Sequence, residues 1–361
     1  MIQLVAIHLI ALCALTYLLW LIPAVTRPTV AFGVRIPPDK VDAAIIDRQR
    51  HRYRRRILLG GSCLVPLATA ALILTEHPAV VPVAVVTMLA VGLSSYLPAH
   101  FAIAAAKRDE NWYAGLRQRV AVDTSLRTDP PRFPWLWAVP AVVVLIGTAV
   151  LGVLLYPSLP DRIALHFGAG GQPDRYATTS IGAVFATVFV QAFLTVLILG
   201  MNWLVLRARP ELDVDDPSSS ARRHRHWVTR VVRALLVLLT ALNLSMALTA
   251  LASWRVLDPG AWLTAAILTP TALAGVLVVA MMIRGRTRQP AAADGGKARV
   301  AERDDDRYWR GGLLYVNRND PAVLVPKRFG IGWTLNVGNP LGWMIIGALV
   351  AGIALVAILR A

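Results

Sequence analysis

Residues 135–206 read WLWAVPAVVVLIGTAVLGVLLY, then PSLPDRIALHFGAGGQPDRYATTS, then IGAVFATVFVQAFLTVLILGMNWLVL. The two apolar blocks, of 22 and 26 residues, contain no Asp, Glu, Lys or Arg. As helices rising roughly 1.5 Å per residue, each is long enough to cross about 30 Å of hydrocarbon. Between them, residues 159–179 hold two Asp-Arg pairs (Asp161-Arg162 and Asp174-Arg175), His166 beside Phe167, three glycines (Gly168, Gly170, Gly171) and a Pro173-Asp174 turn signal. This is the composition of a loop that folds back on itself and presents a fixed face. The pattern is therefore span, loop, span.

Outward from this unit the same apolar signature recurs at 2–25, 57–75, 80–106, 234–254, 261–283 and 341–359, which makes eight candidate spans. With 56% hydrophobic and 16% charged residues, the chain is too apolar for a single soluble domain. The expected fold class is an all-α polytopic membrane protein with about eight transmembrane helices and a small cytoplasmic α/β or β-hairpin module near the C-terminus. No Lys or Arg precedes the first run, which is longer than a signal-peptide core, so it reads as a retained span. Cys13 and Cys63 both lie in apolar runs and suggest buried thiols rather than a disulfide; zinc-type spacing is absent.

Basic residues set the expected orientation. The loops at 26–56, 107–134, 207–233 and 284–340 hold 9, 6, 7 and 11 Lys plus Arg, or 33 of the 37. The opposite side carries Arg162, Arg175, Arg255 and Arg360 against Glu76, Asp161, Asp174 and Asp258, so the whole net charge of +16 falls on one face. Positive-inside logic makes that face cytoplasmic and puts both termini outside. The run RHRYRRR at 50–56 abuts the second span and reads as a topology signal that touches anionic lipid headgroups, not as a nucleic-acid site; 222–230 reads likewise.

No Asp, Glu, Lys or Arg lies within the eight runs, which disfavours a proton-driven pump. The polar residues within them, His8, Ser94, Ser95, His100, Gln191, Asn202, Asn243 and Ser245, are expected to bond between helices. Pro66, Pro140 and Pro270 fall within spans as kinks. Trp20, Trp135, Trp137, Trp254, Trp262 and Trp343 sit at span ends as an aromatic belt.

The domain order expected is 1–134 (three helices with basic loops), 135–206 (helix, external loop 157–180, helix), 207–283 (two helices), 284–303 (a flexible Pro-, Ala- and Gly-rich link), 304–340 (the small module) and 341–361 (the last helix). In the first loop, Gly33 and Pro37-Pro38 signal a turn, followed by a short amphipathic helix with Val41, Ile45 and Ile46 on the inner leaflet. In the module, 313–316 and 322–325 are strand-like around a turn at 317–321, and Trp309, Tyr315 and Trp333 supply a miniature core that docks on the cytoplasmic loops. Asp304, Asp305 and Asp306 lack further ligands at metal-binding spacing and read as a helix start or a solvated run.

Residues 159–179 resemble the domain of unknown function shared by the SdpI-type bacteriocin immunity proteins. The positions that carry the resemblance are Leu159, Pro160, Ile163, His166, Phe167, Gly171, Pro173 and Asp174, with departures at Ala164, where that family usually has proline, and Gly168, where a polar residue is common. Residues 304–340 look like a second domain of unknown function, often joined to the first, with the order Asp-Asp, Tyr-Trp, Asn-x-x-Asp-Pro, Val-Pro-Lys-Arg and Gly-x-Gly-Trp. Together the two resemblances cover about a quarter of the chain and, being fold-level, do not establish activity. They imply a bacterial membrane protein that gives immunity to a secreted antimicrobial peptide, or senses it and signals to a cytoplasmic regulator. The expected ligand-binding residues are Asp161, His166, Phe167, Asp174, Arg175 and Tyr176. The module positions that match are Trp309, Asn317, Asp320, Pro321, Lys327, Arg328, Gly330, Trp333 and Asn336.

Three other readings stand beside this one. The loop is a turn that merely closes the bundle, or the chain is a channel or permease whose path is lined by Gln191, Asn202 and Asn243, or it is an intramembrane enzyme. The last has the least support, because His166 with Asp161 or Asp174 is the only acid-base constellation on one face. No catalytic residue, metal, cofactor or nucleic-acid partner is expected, and the expected partner besides any peptide or regulator is a bilayer with an anionic inner leaflet.

Overall fold

The computed structural model describes residues 2–119, 125–210, 212, 216–286, 300–302 and 304–360. The expected flexible link at 284–303 lies mostly outside the described residues. In chain order the elements are α1 (Ile2–Val25), β1 (Val30–Ala31), β2 (Val34–Arg35), α2 (Ala44–Thr75), α3 (Val80–Asp109), β3 (Arg117–Arg119) and the single turn α4 (Ser125–Thr128). Then come α5 (Val139–Leu155), β4 (Arg162–Phe167), β5 (Pro173–Thr178), α6 (Ile181–Leu206), α7 (Pro217–Ser253) and α8 (Ala261–Arg286). The chain continues through β6 (Val300–Glu302), β7 (Trp309–Arg310), β8 (Leu314–Tyr315), β9 (Leu324–Pro326) and β10 (Trp333–Leu335) to α9 (Pro340–Arg360).

Among the described residues seven helices (α1, α2, α3, α5, α6, α7 and α8) are long and apolar enough to cross a membrane, and α9 adds an eighth apolar helix of 21 residues. Many of these segments are rich in Val and Ile, which favour strands in water. A bilayer offers no partner for a strand's backbone groups, so helices that satisfy them internally prevail. Their outer faces are apolar and exposed, as at Leu67, Leu74, Val143 and Leu154, which is the surface that lipid covers. Cys13 and Cys63, expected as buried thiols, are exposed on this outer surface of α1 and α2, where a small apolar side chain fits lipid as well as protein.

The chain forms two compact units that cut across the consecutive blocks read from the sequence: Met1–Asp123 with Arg209–Ser220 and Ile283–Asn339, and Thr124–Ala208 with Ala221–Met282 and Pro340–Ala361. In the first, α1, α2 and α3 pack around Leu12, Tyr53, Ile57, Met88, Tyr96 and Ile103. Gly60 and Gly61 permit the approach: a Cβ on Gly60 would fall 2.6 Å from Val91 Cγ1, and one on Gly61 would reach 3.1 Å from Thr16 Oγ1. The basic run at 50–56 belongs to α2. There is no separate amphipathic helix, because Ile46, Gln49, Tyr53 and Ile57 form one continuous buried stripe at helical spacing.

The same unit holds the C-terminal module. β9 and β10 pair antiparallel, β7 pairs with β8, and Tyr315 bridges to Asn336. The loop after α1 makes a two-residue hairpin, with Val30 opposite Arg35 and Phe32 and Gly33 both at positive φ, as a type I′ turn requires. Gly33 stands against Gly312, whose Cα a Cβ on Gly33 would meet at 2.7 Å. Phe32 stacks on Phe329 of the module at 5.6 Å, and Tyr96 of α3 donates a hydrogen bond to the Gly311 carbonyl (2.9 Å). The module is thus docked on the first three helices and their loops.

In the second unit α6 packs on α5 and α9, and polar side chains tie α5, α6 and α7 together. Asn243 donates to the Ala141 carbonyl (2.9 Å) and to Thr195 Oγ1 (2.9 Å), while Gln191 donates to the Asn243 carbonyl (3.1 Å). Ser245 donates to the Ile267 carbonyl of α8 (2.7 Å). These are the interhelical bonds expected of polar groups in apolar runs.

Candidate functional site: an exposed hairpin and a buried ionic junction

Residues 159–179 form a β-hairpin. Arg162 pairs with Thr178, Ile163 with Ala177 and Ala164 with Tyr176; an irregularity then shifts the register so that His166 faces Arg175 and Phe167 faces Pro173. The turn closes through Gly168 N–H donating to the Gln172 carbonyl (2.9 Å) and Gly171 N–H donating to the Gly168 carbonyl (2.8 Å). Gly171 is required twice over. Its φ is +73°, and a Cβ there would lie 2.6 Å from the Gly260 carbonyl carbon.

The hairpin is pinned from beneath. Ile163 is buried with Val184 and Val188 of α6 and Ala250 and Trp254 at the end of α7. The Ser253 hydroxyl donates to the Ala164 carbonyl, the Thr264 hydroxyl to the Ala169 carbonyl (3.1 Å) and the Thr179 hydroxyl to the Pro160 carbonyl. Ser180 caps α6 by accepting from Ala183 N–H (3.2 Å).

The outward side carries the polar residues. His166 Nδ1 and Asp174 Oδ1 are 2.7 Å apart, on side chains 60% and 53% exposed. So open a pair contributes about 0–1 kcal/mol to stability and serves chiefly to fix two side chains relative to each other. Asp161, Arg175 and Tyr176 are also exposed, while Phe167 is half-buried. Of the two acidic partners anticipated for His166, Asp174 is the one that meets it. Asp161 lies before the opposite end of β4, where its carbonyl accepts from Thr179 N–H (2.9 Å).

The second cluster was not anticipated. Asp304, Asp305 and Asp306, expected as a helix start or solvated run, lead into a one-turn 3-10 helix at Asp306–Tyr308 and also form a partly buried ionic junction. Lys107 reaches Asp304 (2.7 Å) and Asp306 (2.6 Å), Arg35 reaches Asp305 (3.0 Å), and Arg328 bridges Asp305 and Asp306. Arg209 reaches Asp305 (3.6 Å) and Asp320 (2.9 Å). Four carboxylates thus meet four cations drawn from four separate stretches of chain. Burial by itself would raise the Asp306 carboxyl, but Arg328 and Lys107 outweigh it and hold the group below the usual carboxylate range. It is a fixed anion and the chemistry of the cluster is that of a clamp.

The remaining module residues shape this clamp. Asn336, fully buried, donates to the carbonyls of Asn317 (2.8 Å), Asp320 (3.1 Å) and Ala322 (3.2 Å) and accepts from the N–H groups of Asn317 and Gly338 (both 3.0 Å). Asp320 accepts from the Tyr315 hydroxyl (2.9 Å), whose own proton burial makes harder to lose. The Pro321 carbonyl accepts from Asn339 (3.1 Å), and Gly330 N–H donates to Thr26 Oγ1 (3.0 Å). Trp309 is buried beneath the Arg328 guanidinium at 4.8 Å, Trp333 pairs with Pro326, and Lys327 is exposed. Of the nine matched positions, Asp320 and Arg328 enter the junction. Sequence reasoning missed Arg35, Lys107 and Arg209; the one available signal was three consecutive aspartates in a chain of net charge +16.

Fold and sites together define a multi-pass α-helical membrane protein with a docked C-terminal module. Residues 143–191 match a domain of unknown function, DUF1648, of a kind typical of membrane proteins. Residues 318–343 match a family of unknown function, DUF5808. No curated protein and no solved structure matches the chain.

Proposed function

We propose that this protein binds a secreted antimicrobial peptide at the hairpin, from outside the cell, and thereby confers immunity or reports the peptide to a regulator on the basic, cytoplasmic side. On this reading it is a binding protein and not an enzyme, and it is similar in role to the SdpI-type immunity proteins. The observation that carries the proposal is the division of the hairpin into a pinned underside, Ile163 and Ala164, and an open face bearing His166, Asp174, Arg175 and Tyr176. Such a face is preorganised for a partner, which lowers the ordering cost of binding. A bundle-closing turn would require only the underside.

The permease reading has less support, because Gln191 and Asn243 bridge helices α5, α6 and α7, and Asn202 bonds back to the Ile198 carbonyl (2.9 Å). The test is survival of a deletion strain in concentrated medium from its own and related cultures, complemented with wild type, His166→Ala or Asp174→Ala. Protection by wild type and not by normally expressed hairpin variants is expected. Equal survival of all strains would remove the immunity reading.

A further inference from the structure

The basic half of α2 is divided between two faces. Ile46, Gln49, Tyr53 and Ile57 are buried, whereas Arg48, Arg52, Arg55 and Arg56 are solvent-facing or half-exposed. At 100° per residue these four arginines occupy one sector of about 100° that adjoins the buried stripe on one side. None of their guanidinium groups makes an ion pair or hydrogen bond with any described residue. That contrasts with Arg35, Lys107, Arg209 and Arg328, each engaged by an aspartate.

Two further features fix the level of this face. Along the same sector the exposed residues turn apolar at once: Leu59 is 54% exposed and Cys63 is exposed, with Leu58 beside them at 53%. The facing end of α1 places aromatic residues at the same height. The Tyr53 hydroxyl donates to the Leu19 carbonyl (3.1 Å), the Arg54 guanidinium lies 4.9 Å over the Trp20 ring, and Trp20 stacks with Tyr17, itself 59% exposed. Aromatic rings with an apolar body and polar tip mark the headgroup layer.

We propose that Arg52, Arg55 and Arg56, with Arg48 further out, bind the phosphates of anionic phospholipids, so that the protein holds a selective lipid shell at this edge of α2. The guanidinium fork suits phosphate oxygens, and a stem that lies along the helix while its head seeks water suits this depth. From Arg56 to Arg48 the helix rises about 12 Å, so contact weakens toward Arg48.

The test uses wild-type protein in nanodiscs of phosphatidylcholine alone or mixed with phosphatidylglycerol. Arginines are modified with phenylglyoxal, and the adducts are read by mass spectrometry. The expected result is a severalfold drop in modification in the phosphatidylglycerol discs, strongest at Arg55 and Arg56, weakest at Arg48 and relieved by high salt. Equal modification in both discs, or a drop of the same size at Arg318 in the module, would overturn the proposal. So would protection by an added oligonucleotide that phosphatidylglycerol does not displace. A fourfold Arg→Gln variant at these positions should lose phosphatidylglycerol selectivity among co-purifying lipids, and the fourfold Arg→Lys variant should keep most of it. Unchanged selectivity in a folded Gln variant would also sink the idea.

Discussion

Asp305 accepts from both Arg35 and Arg328 and lies near Arg209, so its removal takes a carboxylate from three cations at once, of which Arg328 keeps Asp306 and Arg209 keeps Asp320. Breaking a buried pair by removing one partner typically costs about 3–5 kcal/mol, because the remaining charge stays desolvated. Asp305→Asn is therefore expected to lower thermal stability in detergent by about that amount, and Arg328→Met by a similar amount. Their combination should cost less than the sum, since the second change relieves a charge that the first exposes. A strictly additive double variant would show that the two do not act as one unit. The acid response follows from Asp306. Its affinity for protons is reduced in the folded state, so its ionised form stabilises the module at all pH values above the usual carboxylate range. That contribution is lost only as the pH falls through the lowered value, from about pH 4 downward. Pulsed hydrogen exchange over 304–339 should stay slow through mild acid; release already near about pH 6 would point to another titrating group.

At the scale of elements, glycine separates close packing from mere tolerance. Gly61→Val would drive a side chain into Thr16 and part α1 from α2, at an expected cost of about 1–3 kcal/mol. Gly147 on α5 has nothing within 4 Å of its missing Cβ, so Gly147→Ala should be neutral or stabilising by up to about 1 kcal/mol. Unfolding titrations of both variants in mixed micelles would check the contrast. The helices themselves were legible because span length is set by bilayer thickness, a constraint written directly as uncharged runs. The hairpin was legible only as a turn. RIALHF and PDRYAT lack the alternation of a free-standing strand pair, and their pairing depends on Ile163 and Ala164 docking on α6 and α7. The join between the basic run and the second span was misread because Arg50 to Arg56 mask a buried stripe that only every third or fourth residue reveals.

For the whole molecule, the eight apolar helices and the charge bias of the loops lead to one topology experiment. In a background with Cys13→Ser and Cys63→Ser, Gln172→Cys should react with an impermeant thiol reagent on intact cells, and Arg318→Cys should react only after permeabilisation. The reverse pattern would invert the orientation and remove the peptide-binding reading with it. The ionic junction was not legible at this scale. Its partners are separated by as many as 271 residues, and sequence pattern alone does not say which distant charges meet. Three of its cations, Arg35, Lys107 and Arg209, precede the aspartate triplet in the chain, and that order has a consequence for biosynthesis. From Lys107 to Asp306 is 199 residues, so at ribosomal speeds of about 5–20 residues per second Lys107 waits roughly 10–40 s for its carboxylate. During that interval Arg35 and Lys107, beside the first three helices, have not yet met these aspartates, and basic residues near span ends are the ones on which the positive-inside bias acts. All four carboxylates of the joint are synthesised after these three cations, so the joint can close only once the module has been made.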